Sequence, residues 1–248
     1  MSTIYILWLR QIKRYLRSKS RMIGSLGQPI LFLIALGYGF GPTFQKAGQG
    51  NYIEFLAPGI IAMSILFAAI FSGIELIWDR QFGFLKETLV APVSRLNIMI
   101  GRTLGGATVA FFQGVIVLII SMFVGFKITN WLAFPLALLV MFLIALLFTA
   151  LGTAIASRLE DMHGFQLIMN FLVMPLFFLS GALFPLQGLS GKILAVTKFN
   201  PLSYGVDALR GFLSNDSFFS LPLDIFILFA CTLVCLFIGT FLFSKTEV

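Results

Sequence analysis

Charged side chains are scarce in this sequence. Lys, Arg, Asp and Glu make up 11% of its 248 residues, where a soluble domain of that size carries about 25%. Hydrophobic residues reach 59% and gather in long runs, so an ordinary soluble domain is excluded and a membrane protein is the default. Histidine occurs once, at His163 in the polar stretch SRLEDMHG. A lone loop histidine of this kind is solvated, and no role is assigned to it. Cysteine occurs twice, at Cys231 and Cys235. They lie one helical turn apart in an apolar run with no other ligand near in sequence, which points to packing or lipid contact, not metal. Also missing are the GxxxxGK[ST] phosphate loop, HExxH and GxSxG. Without a phosphate loop the chain lacks the backbone cradle that holds ATP phosphates in P-loop proteins. The few carboxylates are scattered at the ends of apolar runs, so no hydrolytic centre is assembled. No cleavable signal is read, because Arg10 interrupts a short N-terminal apolar run.

What is present is six apolar segments, at about 22–42, 55–78, 103–126, 131–156, 164–186 and 221–243. Each has about 20 residues or more, enough to cross the hydrocarbon core as a helix. Barrel strands would be shorter and alternating, so a β-barrel is rejected. The net charge of +7 does not point to nucleic acid, because the basic residues flank the apolar runs. With the N-terminus in the cytoplasm, the inner loops hold twelve Lys and Arg and the outer loops five. That asymmetry puts both termini inside. The expectation is an all-α polytopic membrane protein, one transmembrane domain over 1–248, with six transmembrane helices.

Three polar segments stand out. Residues 1–20 form an amphipathic pattern, with Ile4, Trp8, Ile12 and Leu16 on one face and Arg10, Lys13, Arg14 and Arg17 opposite. Either a helix lies on the membrane surface or a basic flank sets topology. Residues 79–102, DRQFGFLKETLVAPVSRLNIMIGR, are far too polar to cross a bilayer, yet carry Phe82, Phe84, Leu85, Leu89 and Val90. Gly83 breaks a helix, FLKETLVA forms one and Pro92 stops it. This is a short helix below the membrane, seated on another protein or among the headgroups. Residues 187–220 are longer, with Asn200 as a helix cap, Pro201 in the first turn, and Asp207 with Arg210 at i, i+3. They are expected to fold back onto the outer membrane surface.

Inside the spans one ionisable residue stands out, Glu75, near the cytoplasmic end of the second. A charge at the bilayer centre costs on the order of 3 kcal/mol on insertion scales and less near the interface. Glu75 is therefore expected to pair with a basic group, either Arg80 or one on the N-terminal helix. The alternative is a glutamate that reaches the headgroups or is protonated. Gln28-Pro29, Pro58-Gly59 and Pro175 interrupt the first, second and fifth spans. Such breaks belong where protein or a cavity satisfies the freed backbone groups. The second span carries Met63, Phe67 and Phe71, and the fifth carries Phe171, Met174 and Phe178. Adaptable Met and aromatic surfaces suit hydrophobic ligands, and they equally suit packing and lipid.

Three stretches taken together resemble the membrane subunits of ABC-2 type ABC transporters, the group of drug, polysaccharide and lipid exporters. They are DRQFGFLKETLVAPVSR followed by GR, FFLSGALFPLQGLSG at the end of the fifth span, and NPLSYGVDALRG. With the six-span pattern, the resemblance covers nearly the whole chain. It implies that residues 79–102 hold a coupling helix, at Phe84, Leu85, Lys86, Glu87, Thr88 and Leu89, which docks into a separate ABC ATPase subunit. It implies that the N-terminal helix, with Trp8, Arg10, Arg14 and Arg17, is an interface helix touching that subunit. It implies a second copy of this chain, a substrate path near the first, second and fifth spans, and a cytoplasmic-membrane location in a prokaryotic cell. No cofactor is expected on this chain, and ATP and Mg are expected on the partner.

On the residues alone, two other classes compete with this one. A secondary transporter driven by an ion gradient calls for several buried acids or an inverted repeat, whereas Glu75 is the acid that stands out and no repeat is seen. A membrane-embedded lipid enzyme calls for clustered His, Asp, Glu or Ser at one depth, and the single His lies outside the spans.

Overall fold

The structure, a computed structural model, describes residues 2–46, 50–84, 88, 90, 92–159, 161–187 and 190–244. Ten helices are bounded within the described residues, and no strand occurs among them. They are α1 (Thr3–Arg17), α2 (Lys19–Lys46), α3 (Tyr52–Phe71), α4 (Ile74–Gln81), α5 (Arg95–Val124), α6 (Phe134–Ala156), α7 (Met162–Phe178), α8 (Gly191–Phe199), α9 (Pro201–Ser214) and α10 (Leu221–Ser244). Helix α3 is the axis of the bundle. It is apolar on all sides, as a helix buried all round must be, and it packs against α2, α5, α6 and α9. Asn51 starts it by accepting a hydrogen bond from the Ile53 amide at 3.0 Å. A break at Ser72-Gly73 leads into α4, where the Gly73 amide donates to the Ile70 carbonyl three residues back.

That break sits where two backbones touch. A Cβ on Gly73 would lie 2.5 Å from the Gly152 carbonyl oxygen of α6, and one on Gly152 would lie 2.6 Å from that of Ile70. Small residues let helices approach this closely where, in lipid, dispersion and not the hydrophobic effect must hold them together. Helices α2 and α10, by contrast, leave long apolar faces uncovered, including Leu31 and Tyr38 on α2 and Phe226 and Phe237 on α10.

Five helical stretches are long and apolar enough to cross a membrane: Lys19–Lys46, Tyr52–Gln81, Arg95–Val124, Phe134–Ala156 and Leu221–Phe243. The segment predicted at 164–186 is shorter as a helix. It becomes α7, with 17 residues, and ends at Phe178. The cause is local. Ser180 donates to the Phe177 carbonyl in place of the Leu176 carbonyl, and Gly181 takes a φ of +77°, which a glycine adopts without strain. The carbonyls freed there are met by the segment around α9. Asn200 Nδ2 donates to Leu176 O at 2.6 Å, Ser203 Oγ to Leu179 O at 3.4 Å and Arg210 Nη2 to Gly181 O at 3.2 Å. A helix can end amid apolar surroundings when its last carbonyls are satisfied in this way.

Within residues 187–220, this corrects the expectation for α9, whereas α8 leaves Ile193, Val196 and Phe199 exposed. Helix α9 does not lie on an outer surface. It is wedged among α3, α6 and α10, with Tyr204, Asp207 and Arg210 buried. The cap at Asn200 and the proline at the first turn form as the sequence indicates, with Asn200 Oδ1 accepting from the Leu202 amide at 3.0 Å.

Candidate functional site

Helix α1 and α9 mark opposite ends of the bundle, since α1 meets the end of α4 and α9 meets the start of α3. At the α1 end, α1 runs along the first half of α5. Its contact face is Ile4, Leu7, Trp8 and Gln11, seated on Gly101 and Gly105 of α5, with Tyr15 buried further along. A side chain on Gly105 would meet Gln11 at 2.7 Å. Trp8 Nε1 donates to Thr108 Oγ1 at 3.0 Å. Thus Leu7, outside the apolar face set by Ile4, Trp8, Ile12 and Leu16, is buried, whereas Leu16 is exposed.

The charged face of α1 is not simply solvated. Asp79 and Glu75 lie one turn apart on α4, so both carboxylates share a face. Arg10 and Arg14 lie one turn apart on α1 and reach that face. Arg10 Nη2 lies 2.9 Å from Asp79 Oδ1, and Arg14 Nη1 lies 3.5 Å from Asp79 Oδ1 and 3.9 Å from Glu75 Oε2. Arg21 Nη1 of α2 meets Glu75 Oε1 at 2.6 Å, and Arg102 Nη2 of α5 donates to Asp79 Oδ2. Two acids of one helix therefore tie down α1, α2 and α5. Asp79, Glu75 and Arg102 are buried, while Arg10, Arg14 and Arg21 keep a third or more of their side chains exposed. Buried charges persist when they are paired in this way.

The expected pairing of Glu75 with Arg80 is not what forms. Arg80 donates to the carbonyls of Ser157 at 2.7 Å and Leu159 at 2.8 Å, tying α4 to the connection between α6 and α7. The partners of Glu75 are Arg14 on α1 and Arg21 on α2. Sequence reasoning passed over Asp79, Arg21 and Arg102 as site residues. The signal was there in two i, i+4 pairs of like charge, the basic Arg10 with Arg14 and the acidic Glu75 with Asp79.

Beside the network lies an open groove of about 660 Å³. Arg10, Lys13, Arg14 and Arg17 line one wall, and Trp78, Phe82 and Phe84 the other. The Arg14 guanidinium carbon lies 5.5 Å from the Trp78 ring centre, and that of Arg10 lies 5.9 Å from the Phe84 ring. These are cation–π distances. Of the predicted coupling helix, Phe84 is exposed and Thr88 Oγ1 donates to the Phe84 carbonyl at 2.9 Å, one helical turn back. Leu85, Lys86, Glu87 and Leu89 lie outside the described residues.

The six candidate path residues do not converge. Met63 is packed in the core. Phe67 and Phe71 stack at 6.2 Å and line a cavity of about 370 Å³ with Tyr15, Arg21, Gln28 and Gln113. Burial pushes the Tyr15 hydroxyl above its ordinary pKa, against the opposing effects of Ser25 and Arg21. Phe171 and Met174 are exposed on α7, and Phe178 lines a second, almost wholly apolar cavity of about 420 Å³ with Phe32, Phe40 and Tyr52. At the α9 end, Asp207 and Arg210 do not pair at i, i+3. Arg210 Nη2 donates to Phe55 O and Gly181 O, both at 3.2 Å, with its guanidinium carbon 3.9 Å from the Phe55 ring centre. Burial lowers the Arg210 pKa to about 10. Asp207 accepts from the amides of Phe218 and Phe219.

The fold is that of a polytopic helical membrane protein whose terminal helix is ionically joined to the bundle at one end. The model of the ABC-2 type transporter family matches residues 2–214, and the chain belongs to that family. It is similar to a protein named putative transport permease ycf38 from Cyanophora paradoxa, with 28% identity over 221 residues, covering 86% of this chain and 75% of the relative. Nodulation protein J from Rhizobium leguminosarum bv. viciae is 30% identical over 191 residues, covering 76% and 73%. The inner membrane transport permease YadH of Escherichia coli strain K12 is 28% identical over 218 residues, covering 85% and 83%. The chain is accordingly a membrane transport permease of the ABC-2 type.

Proposed function

We propose that this chain is the membrane-spanning subunit of an ATP-driven exporter. A separate ABC ATPase subunit would bind ATP and Mg, and a second copy of this chain would complete the membrane part. The cargo class is hydrophobic or amphipathic: a drug, a lipid or a lipid-linked glycan. In this reading the α1 end faces the cytoplasm and six segments cross the membrane. The sixth is α7, whose 17 residues lie at the short end of the roughly 17–25 that suffice for a span.

The observation that carries the reading is the joint at Asp79. Residues 82–94 connect α4 to α5, and both helices are tied to α1 through that one carboxylate. A partner gripping residues 84–89 and the exposed basic face of α1 would move α1, α4 and α5 as a unit. Through α4 the motion passes into α3, the buried axis of the bundle. That is the kind of two-state rigid-body shift by which nucleotide-driven closure of a partner can switch a transporter between opposite faces. The uncovered apolar faces of α2 and α7, with Leu31, Tyr38, Leu167 and Phe171 exposed, support contact with a second copy and with lipid.

The test is purification of the chain in mild detergent with its neighbouring gene products, followed by ATPase and vesicle transport assays. A P-loop protein at one-to-one stoichiometry is expected, and Leu85→Asp should uncouple ATP hydrolysis from transport while leaving the membrane fold intact. A chain that purifies alone and moves solute in response to an ion gradient would overturn the reading.

A further inference from the structure

At the α9 end two carboxyl groups face each other out of solvent. Asp207 sits mid-helix on α9 and Asp224 in the first turn of α10, within hydrogen-bonding reach of it. Asp224 is 0% exposed, and neither of its oxygens meets a donor among the described residues. Asp207 is also buried, but its oxygens accept from the Phe218 amide at 2.9 and 3.0 Å and from the Phe219 amide at 2.8 Å.

The charge balance of this pocket is uneven. Among the described residues, the one cation set against the acids is Arg210, which acts on Asp207. Asp216, in the connection between α9 and α10, adds a further negative charge nearby and is exposed. Tyr204 on α9 and Cys231 on α10 also face the pocket and are neutral in their ordinary forms. Helix α6, which packs against both α9 and α10, carries no titratable side chain. Two buried carboxylates in contact cannot both ionise with one cation to balance them.

We infer that Asp207 and Asp224 hold one proton between them, so that α9 and α10 are joined by a proton-binding latch. The proton resides on Asp224, because the amides of Phe218 and Phe219 favour the charged form of Asp207. The Asp224 carboxylic acid donates its hydrogen bond to the Asp207 carboxylate, which supplies the partner that Asp224 otherwise lacks. Loss of the proton to a base in solution leaves two carboxylates face to face and opens the latch. Opening would free α9 from α10 and expose the α7 carbonyls that the α9 segment covers. The latch stands apart from the ATPase reading, since it uses neither α1 nor residues 84–89.

Infrared difference spectra of the full-length protein in lipid nanodiscs, recorded as pH is raised from neutral, test this directly. A protonated carboxylic-acid carbonyl band should be present at neutral pH, titrate away as pH rises, vanish in Asp224→Asn and persist in Asp216→Asn. Asp207→Asn removes the neighbouring negative charge, so the same band should titrate at lower pH than in the wild type. This second variant carries the test by itself if Asp224→Asn does not fold. A band unaffected by Asp224→Asn, or a titration unmoved by Asp207→Asn, would overturn the inference. So would a titration displaced by added calcium or magnesium, which would mark the pair as a cation site.

Discussion

The two ends of the bundle handle buried charge by different means. At the α1 end acids meet bases, and the partners come from four helices, α1, α2, α4 and α5. At the α9 end the charged groups turn to the backbone: Arg210 to two carbonyls, Asp207 to two amides. The first arrangement ties helices to one another. The second ties down turns, namely the broken end of α7 and the connection leading into α10. An ionic joint between helices transmits a push along the helix axes. A side chain clamped on carbonyls fixes local chain path. On the proposed function, the difference gives the α1 end the joint between helices and gives the α9 end the chain path around the end of α7.

The largest expected effect breaks the comparison at its ionic end. Asp79→Ala removes the acceptor shared by Arg10, Arg14 and Arg102, and leaves Arg102 buried without its acid. Breaking a buried pair from one side costs about 3–5 kcal/mol. A matching fall in stability, read by denaturant unfolding in detergent, is the expected outcome. Adding Arg102→Met should recover part of the loss, since the uncompensated charge goes with it. If the double variant is as unstable as the single one, Asp79 holds α1 and not Arg102.

Next in size is the backbone clamp. Arg210→Ala strips a charged donor from the carbonyls of Phe55 and Gly181 and removes the guanidinium from the Phe55 ring. Hydrogen bonds to charged groups contribute about 1.5–3 kcal/mol, and a loss of that order is expected. Arg210→Lys should restore little of it, because a point-like ammonium cannot serve two carbonyls and stack flat at once. This variant should unfold more easily than the wild type, though less so than Asp79→Ala, while leaving the ratio of ATP hydrolysed to solute moved unchanged. A change in that ratio would erase the distinction between the two ends.

These contrasts mark what could be read from the residues in order. The apolar runs announced the helices, because twenty apolar residues have few other uses, and NPLSYGVDALRG announced a capped helix through Asn200 and Pro201. The destination of α9 was not legible. Asp207 and Arg210 look like a surface pair at i, i+3, but the acceptors of Arg210 lie 29 and 155 residues away along the chain. Nothing local encodes them. The early end of α7 was half legible in Ser180-Gly181, whereas the side chains that make such an end tolerable come from another segment. At the α1 end the basic stripe was plain, but a stripe of arginines reads the same whether it faces water or buried acids. Glu75 and Asp79 carried the missing half of that signal, and it emerges only when the two helices are placed side by side.

The smallest expected effect sharpens the comparison from within the α1 end. Trp8→Phe keeps an aromatic ring beside Tyr5, whose centre lies 5.7 Å from that of Trp8. It deletes one hydrogen bond, from Nε1 to Thr108 Oγ1. Thr108 still donates to the Leu104 carbonyl at 2.7 Å, so no buried group loses its last partner. The loss should fall near the bottom of the roughly 0.5–1.5 kcal/mol of a neutral hydrogen bond. A much larger loss, approaching that of Asp79→Ala, would mean that the seat of α1 on Gly101 and Gly105 holds it in place and that the arginines merely follow. A small loss leaves the four-helix ionic joint as the element that must yield before α1 can part from the bundle.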